Sequence, residues 1–484
     1  MEEHITKVGK HLLDLVMFQI YGERAELLYR EYIQNASDAI KQAIEEGVLD
    51  RSQAAIHIEV DKFTRKISIK DNGIGIKSKE VLDKLLNIAD SSKDGYQQAG
   101  QFGIGRLSGA GYCNKMIFKT SYKGEASCSI LELDISKIRK YKEETDLSAT
   151  EIIDKCYNIE RNEEDSEEHY FQVELLSVFS EFLDTLLDEN FVVEYIKDIA
   201  PIDFKIPFKQ LFNTVEGKFK EYKENIPVYN ISVNEVMDIR KSYGLTIEGT
   251  NDKIESLEFI EIKDRDEVLG WGWYAITAYS KAITVNDRNR GIRLRRLNIL
   301  VGERDYLNKY FKEARGNNYF YGEIYATHPK LQLNVTRTNL IANDISVKFL
   351  TKIKEEFRKL HDNYHTASKL KIAIQTANER KWDNGSTKEV EKTKQSIEKK
   401  NGSTGKKIIK AVEEEYSKKG EISKIEPTKN ISQKKPEIEE RLKQKLGMDK
   451  YQLAKRIFSL YDKYCGESNK KLIKQITERV VKEL

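Results

Sequence analysis

The sequence contains no run of about 18 apolar residues, so no transmembrane helix is expected. Its start, MEEHITKVGKHLLDLVMF, is acidic and lacks a basic leader, an apolar core segment and a small-residue cleavage site. No signal peptide is expected, and the cytoplasm is the expected location. Cysteine is scarce. Cys113, Cys128, Cys156 and Cys465 have no metal-ligand spacing and are expected as free thiols in a reducing compartment. Proline is scarce too, six in 484 residues, and none interrupts residues 11–46. The glycine-rich stretch 95–111 is not followed by Gly-Lys-Ser/Thr, which excludes a Walker A loop.

What is present is charge: 33% of residues are charged and 39% hydrophobic. With this length, that implies two or three domains in a soluble, helix-rich chain with a solvated tail. The charge is uneven. Residues 366–484 carry a net +12 and the remainder −9. Such a tail suits nucleic acid, an acidic partner or the chain's own acidic body, and equally suits a solvated linker.

Apolar spacing predicts a helix over 11–46, strands at 54–60 and 66–70, and a short amphipathic helix at 79–90. Strands follow the glycine-rich stretch at 116–122 and 129–135. The acidic segment 141–169 reads as a surface insertion before a strand at 170–176. This order suggests an α+β sandwich with helices on one face of a mixed sheet over residues 1–190. A middle domain is expected over 191–366, with strands at 258–262, 270–280 and 291–302 and helices at 303–315 and 344–361. A flexible charged linker (367–435) and a basic helical segment (436–484) would complete the chain.

Three constellations point to chemistry. Glu31, Asn35 and Asp38, in LLYREYIQNASDAIKQA, share one helix face, where their oxygens suit Mg²⁺ as well as a solvated surface. KISIKDNGIGI places Asp71, Gly73 and Gly75 just after a strand; such an aspartate can accept a hydrogen bond from an exocyclic amine, although DNG is also a common turn. AGQFGIGRLSGAGY holds Gly100, Gly103, Gly105, Gly109 and Gly111, whose backbone N–H groups suit phosphate oxygens and whose flexibility suits a lid.

In this order and within one α+β unit, the three segments resemble the N box and the two glycine boxes of the GHKL ATPases: gyrase B, histidine kinases, mismatch-repair ATPases and the ninety-kilodalton heat-shock chaperones. REYIQNASDA, NIADSS and GQFGIGRLSGA resemble the chaperone branch. LQLNVTRTNL (331–340) and GIRLRRLNILVG (291–302) resemble that branch's middle domain, so the likeness covers most of residues 1–365.

The resemblance implies an N-terminal Bergerat sandwich followed by an α/β middle domain. It further implies Glu31 as general base, Asn35 as Mg²⁺ ligand, and Asp71 as adenine acceptor with Gly75 beside it. Asp38 would line the nucleotide site, Gly100, Gln101, Gly103 and Gly105 would wrap the phosphates, and Arg337 would reach the γ-phosphate. The implied activity is hydrolysis of ATP in a clamp whose lid and domains close on nucleotide, with a homodimer and a protein client as expected partners. The alternative is a nucleic-acid-associated or anti-phage defence ATPase using the same clamp as a switch. Asp90, Phe171 and Ile341 depart from the branch's usual lysine, threonine and glutamine, with Lys93 a substitute for the first. The branch's C-terminal dimerisation domain is not recognisable in 366–484.

Overall fold

The computed structural model describes residues 10–424 apart from 20–21, 23, 88–104, 251 and 335, and the side chains of Leu12 and 418–424 are likewise not described. A helical turn, α1 (His11–Leu13), widens into a π-helical segment at Asp14–Gln19. Helix α2 (Leu27–Glu45) begins separately, so the expected continuous helix over 11–46 is two pieces. The chain turns at Gly22, whose φ of +50° is a left-handed conformation no helix interior holds.

α2 buries Leu28, Ile33, Ala36 and Ile40, which recur at helical spacing, against a seven-stranded sheet. Strands β1 (Ala55–Asp61) and β2 (Lys66–Asp71) form a hairpin in that sheet. Helix α3 (Val81–Leu86), shorter than expected, follows. Strands β3 (Lys115–Ser121) and β4 (Ser127–Asp134) come next, then helices α4 (Ile135–Glu144) and α5 (Ala149–Asp154), then β5 (Tyr157–Glu163) and β6 (Tyr170–Leu176). The strand order is β5-β4-β3-β6-β2-β1-β7. Ile56, Ile58, Ile67, Ile69, Phe118, Leu131, Val173 and Leu175 point from the sheet into the helical layer.

Two sequence expectations change here. Residues 141–169 are not a mere insertion, because β5 is the sheet's edge strand. Its outer residues are mostly exposed, so it lacks the apolar alternation that reveals a half-buried strand. The boundary at residue 190 also fails. Helices α6 (Glu189–Ile199), α7 (Phe208–Phe212) and α8 (Lys218–Glu224) lead to β7 (Asn230–Val233), which pairs in parallel with β1 and closes the first sheet.

The second sheet has the order β11-β10-β12-β9-β8: β8 (Ser256–Asp264), β9 (Glu267–Ile276), β10 (Gly291–Arg296), β11 (Ile299–Leu300) and β12 (Tyr321–Ala326). One face packs Phe204, Phe208, Phe212 and Tyr243 around Trp271 and Trp273. Segment 303–315 forms short 3₁₀ turns rather than the expected helix.

All six residues of β10 are buried, three of them arginines. The charge is answered across the sheet: Arg295 Nε donates to Glu323 Oε1 at 2.6 Å and Lys241 Nζ to Glu323 Oε2 at 2.8 Å. Burial alone would raise the Glu323 carboxyl, but the two cations hold it near 2. Burial, with Arg295 nearby, pushes Lys241 down to about 7. Glu323→Gln would leave Arg295 and Lys241 enclosed without their counter-charge. It is expected to cost about 3–5 kcal/mol, read as a lower denaturation midpoint; an unchanged midpoint would show the network to be dispensable.

Helix α9 (Asp344–Glu379) starts at a capping box of Asn343 and Ser346 and runs well past the expected end. Helix α10 (Asn384–Lys424) occupies most of the expected linker, which is therefore corrected to ordered helix through residue 424. Its direction breaks at Gly402 (φ +55°), and Lys394 meets Glu413 at 2.7 Å across the resulting reversal. Ile397, Ile408 and Val412 are buried, few enough apolar anchors to be masked by the surrounding Lys and Glu. The chain through Glu415 packs as one unit. The expected basic helical segment 436–484, with Cys465, lies outside the described residues; Cys113, Cys128 and Cys156 are buried free thiols. Among the described residues no helix is long and apolar enough to cross a membrane.

Candidate active site

α2 carries the first constellation. Glu31 and Asp38 are buried and Asn35, one turn after Glu31, is half-buried. Glu31 is 1% exposed, a position that a carboxylate holds only with a partner. The partner is Arg337, whose Nε donates to Glu31 Oε1 at 2.6 Å from 306 residues away. Arg337 is itself buried and sits in the LNVTR loop at φ +56°, outside regular structure. The loop is a tight turn: Arg337 N–H donates to Asn334 C=O, and Leu333 bridges to Leu340. Two of the residues singled out in the sequence, one on the helix packed against the first sheet and one in a loop that follows the second, are thus one ion pair.

The glycine-rich segment packs on the same pair. A methyl group at Gly105 would lie 2.4 Å from Glu31 Oε2 and 3.8 Å from Arg337 Nη2. Only glycine lets the backbone pass so close to the two charges. Tyr32, next to Glu31, anchors the segment that follows: its hydroxyl donates to Arg106 C=O at 3.1 Å and accepts from Gly109 N–H at 3.0 Å. Arg106 in turn donates to the carbonyls of Leu85 and Asn87. Gly100, Gln101 and Gly103, together with Asp90 and Lys93, lie outside the described residues.

The second constellation docks on the far end of the helix. Asp71 closes β2 and is 4% exposed; its Oδ1 accepts from Gly73 N–H at 2.8 Å. Ile74 N–H donates to Ala39 C=O, tying the turn to the residue after Asp38. Burial pushes the Asp71 carboxyl up to about 7, against the pull of the Gly73 and Phe171 N–H groups and of Lys70. Gly75 has φ +70°, and a Cβ there would sit 1.8 Å from Ser121 C=O. Thr120 Oγ1 fixes the same turn by accepting from Ile76 N–H and donating to Tyr170 C=O, each at 2.9 Å.

Phe171, the departure at the expected threonine, pairs in register with both Asp71 and Thr120 and packs its ring 6.0 Å from Phe118. Ile341 is half-buried at the base of the arginine loop, its N–H donating to Gln332 C=O at 2.8 Å. Tyr32, Arg106 and Thr120 escaped sequence reading because their tasks lie in hydroxyl and guanidinium contacts that no spacing encodes. Tyr32 in particular reads as one more core residue of α2.

The arrangement offers a buried carboxylate and guanidinium in contact, a half-exposed amide oxygen on the same helix, and glycine backbone beside them. A separate desolvated carboxyl lies at the turn. This set suits a polyanion with a polar ring, not a protein-only metal cage: among the described residues no group of three or more His, Cys, Asp or Glu side chains could hold a metal ion.

Residues 26–165 match the profile of the "Histidine kinase-, DNA gyrase B-, and HSP90-like ATPase" family. A chaperone protein HtpG of Clostridium perfringens is 29% identical over 254 residues, which is 48% of this chain and 38% of that protein. The HtpG of Francisella tularensis is 30% identical over 215 residues, 40% of this chain and 33% of its own length. That of Alkaliphilus oremlandii is 28% identical over 264 residues. The matches thus take in less than two-fifths of these relatives' own length. Residues 26–165 are thus similar to the ATPase domain of that family, and part of the chain is similar to HtpG.

Proposed function

We propose, from the premise that residues 26–165 are a GHKL-type ATPase domain, that the chain hydrolyses ATP and works as a nucleotide-driven clamp like an HSP90 chaperone. One observation carries the reading: Arg337, from the second half of the fold, already rests on Glu31 of the ATP helix. Asp71 would accept the adenine amine, with Gly75 keeping the backbone clear and Asp38 beside the turn. Gly100, Gln101, Gly103 and Gly105 would line the phosphates.

Glu31 would orient the attacking water and accept its proton. While Arg337 grips it, that carboxylate is engaged. A γ-phosphate competing for Arg337 would release it and put the cation where negative charge builds in the transition state, an interaction worth roughly 10³–10⁵ in rate. Asn35 fits a magnesium ion, which takes one or two protein oxygens and leaves its other positions to phosphates and water. When bound, the ion would neutralise phosphate charge. Because base and arginine come from different parts of the chain, turnover would depend on their remaining together, which makes hydrolysis a reporter of clamp closure. A homodimer acting on a protein client in the cytoplasm is the setting this implies.

The test is phosphate release by the purified chain with ATP and Mg²⁺, with and without EDTA, over a range of protein concentrations. Release that EDTA abolishes supports the reading, and specific activity rising with concentration supports assembly. No release and no ATP binding by calorimetry would overturn it.

A further inference from the structure

The ion pair of Glu31 and Arg337 is held from outside by a carboxylate that neither sequence pattern nor family likeness singles out. Glu303 follows β11 in the loop at residues 301–304. Its Oε1 accepts from Arg24 Nη2 at 2.7 Å, just before α2, and lies 3.9 Å from Arg30 Nη2. Arg30 immediately precedes Glu31 and is 1% exposed, and its Nε and Nη1 have no hydrogen-bond partner among the described residues. Glu303 therefore supplies the near negative charge for a buried cation at the base's elbow.

On its other side Glu303 is joined to the arginine loop. Gly302 N–H donates to the carbonyl of Arg337 at 3.1 Å. Arg304 reaches Asp198 at the end of α6, where Arg288 and Arg293 also converge, so the loop is pinned to the framework on its far side. One short segment thus touches the neighbour of the base with a side chain and the backbone of the arginine with an amide.

We propose that Glu303 is a positioning residue: a latch between the ATP helix and the Arg337 loop that sets the distance between Arg337 and Glu31. This rests on the assignment of those two residues to hydrolysis. Glu303 itself is half-exposed and touches no reacting atom, so its effect should fall on turnover rather than nucleotide affinity. A misplacement of about 1 Å at a reacting pair can cost up to about a hundredfold in rate.

The experiment compares Glu303→Gln, Glu303→Arg, Arg24→Glu, the exchange Arg24→Glu/Glu303→Arg, and Arg337→Ala in the full chain. It reads kcat and KM for ATP and the thermal midpoint. Glu303→Gln is expected to lower kcat roughly tenfold, with KM nearly unchanged and the thermal midpoint lowered because Arg30 loses its near counter-charge. Glu303→Arg should lower kcat further, and the charge exchange should restore most of the loss. A merely structural role would move the midpoint alone and leave kcat at the parent value. Unchanged kcat in Glu303→Gln and Glu303→Arg, while Arg337→Ala is impaired, would overturn the latch alone. Unchanged kcat in Arg337→Ala would overturn the assignment of the site and the latch with it.

Discussion

Arg337→Ala is expected to lower kcat for ATP by about 10³-fold or more, with ATP affinity changed only a few-fold. The guanidinium would act where charge develops, so its loss should fall on the transition state. Glu31→Ala should stop hydrolysis and leave ATP bound, since general-base assistance is worth roughly 10²–10⁴. The double variant should be no slower than Glu31→Ala alone, because groups that act as one unit lose their joint effect once.

Stability offers an independent readout of the same contact. Glu31 and Arg337 are both buried and joined at 2.6 Å. Removing either leaves the other enclosed without that partner, an expected loss of about 3–5 kcal/mol. Removing both should cost less than the two single losses together. A double-mutant cycle on the thermal midpoint measures this coupling without nucleotide. Additive losses would show that the pair does not form in solution, and hydrolysis by Arg337→Ala at the parent rate would remove the arginine from the mechanism.

How much of this was open to inspection before the structure depends on the kind of signal. Glu31, Asn35 and Asp38 announce themselves because a helix places them on one face, and Asp71 because a polar turn follows a strand. Arg337 was legible only through the likeness of LNVTR to a known loop, since no local rule links residues 31 and 337. The strands with apolar alternation, β1, β2, β3 and β6, lie within about two residues of expectation. In the first sheet β5 and β7 were not found: one is an edge strand with exposed outer faces, and the other is four residues long; in the second, β12 was not found either. α10 was mistaken for a linker because Gly402 and the run of Lys and Glu hide a helix anchored by a few isoleucines and valines. Glu303 carries no pattern at all; its role arises from where two distant segments meet.

Asp71→Asn should act on folding and on ATP binding with opposite signs. Burial has raised the carboxyl from 3.8 to about 7. An acid whose folded pKa is raised contributes stability that is fully present below pH 3.8 and is lost as pH rises through about 7. At pH 8 the nucleotide-free protein therefore holds a desolvated anion, and asparagine, which does not ionise, should stabilise it by on the order of 2–4 kcal/mol. At pH 4 the two proteins should differ little on this account.

Binding runs the other way. The ionised carboxylate has an acceptor for Gly73 N–H and another for the adenine amine. Asparagine has one oxygen, and with that oxygen on Gly73 its amide nitrogen would face the amine, donor against donor. Such a mismatch in a buried site should weaken ATP binding by about 2–3 kcal/mol, roughly a hundredfold. In the parent protein ATP affinity should rise about fivefold between pH 6 and pH 7 and about tenfold by pH 8, where it levels off, following ionisation of Asp71. Calorimetric titrations at the three pH values, with thermal midpoints of the nucleotide-free proteins beside them, measure both effects. A pH-independent parent affinity, or an Asp71→Asn protein that binds ATP as tightly as the parent, would remove Asp71 from the adenine site. A stabilised variant that no longer binds would show that the cost of burying this charge is sustained by its use.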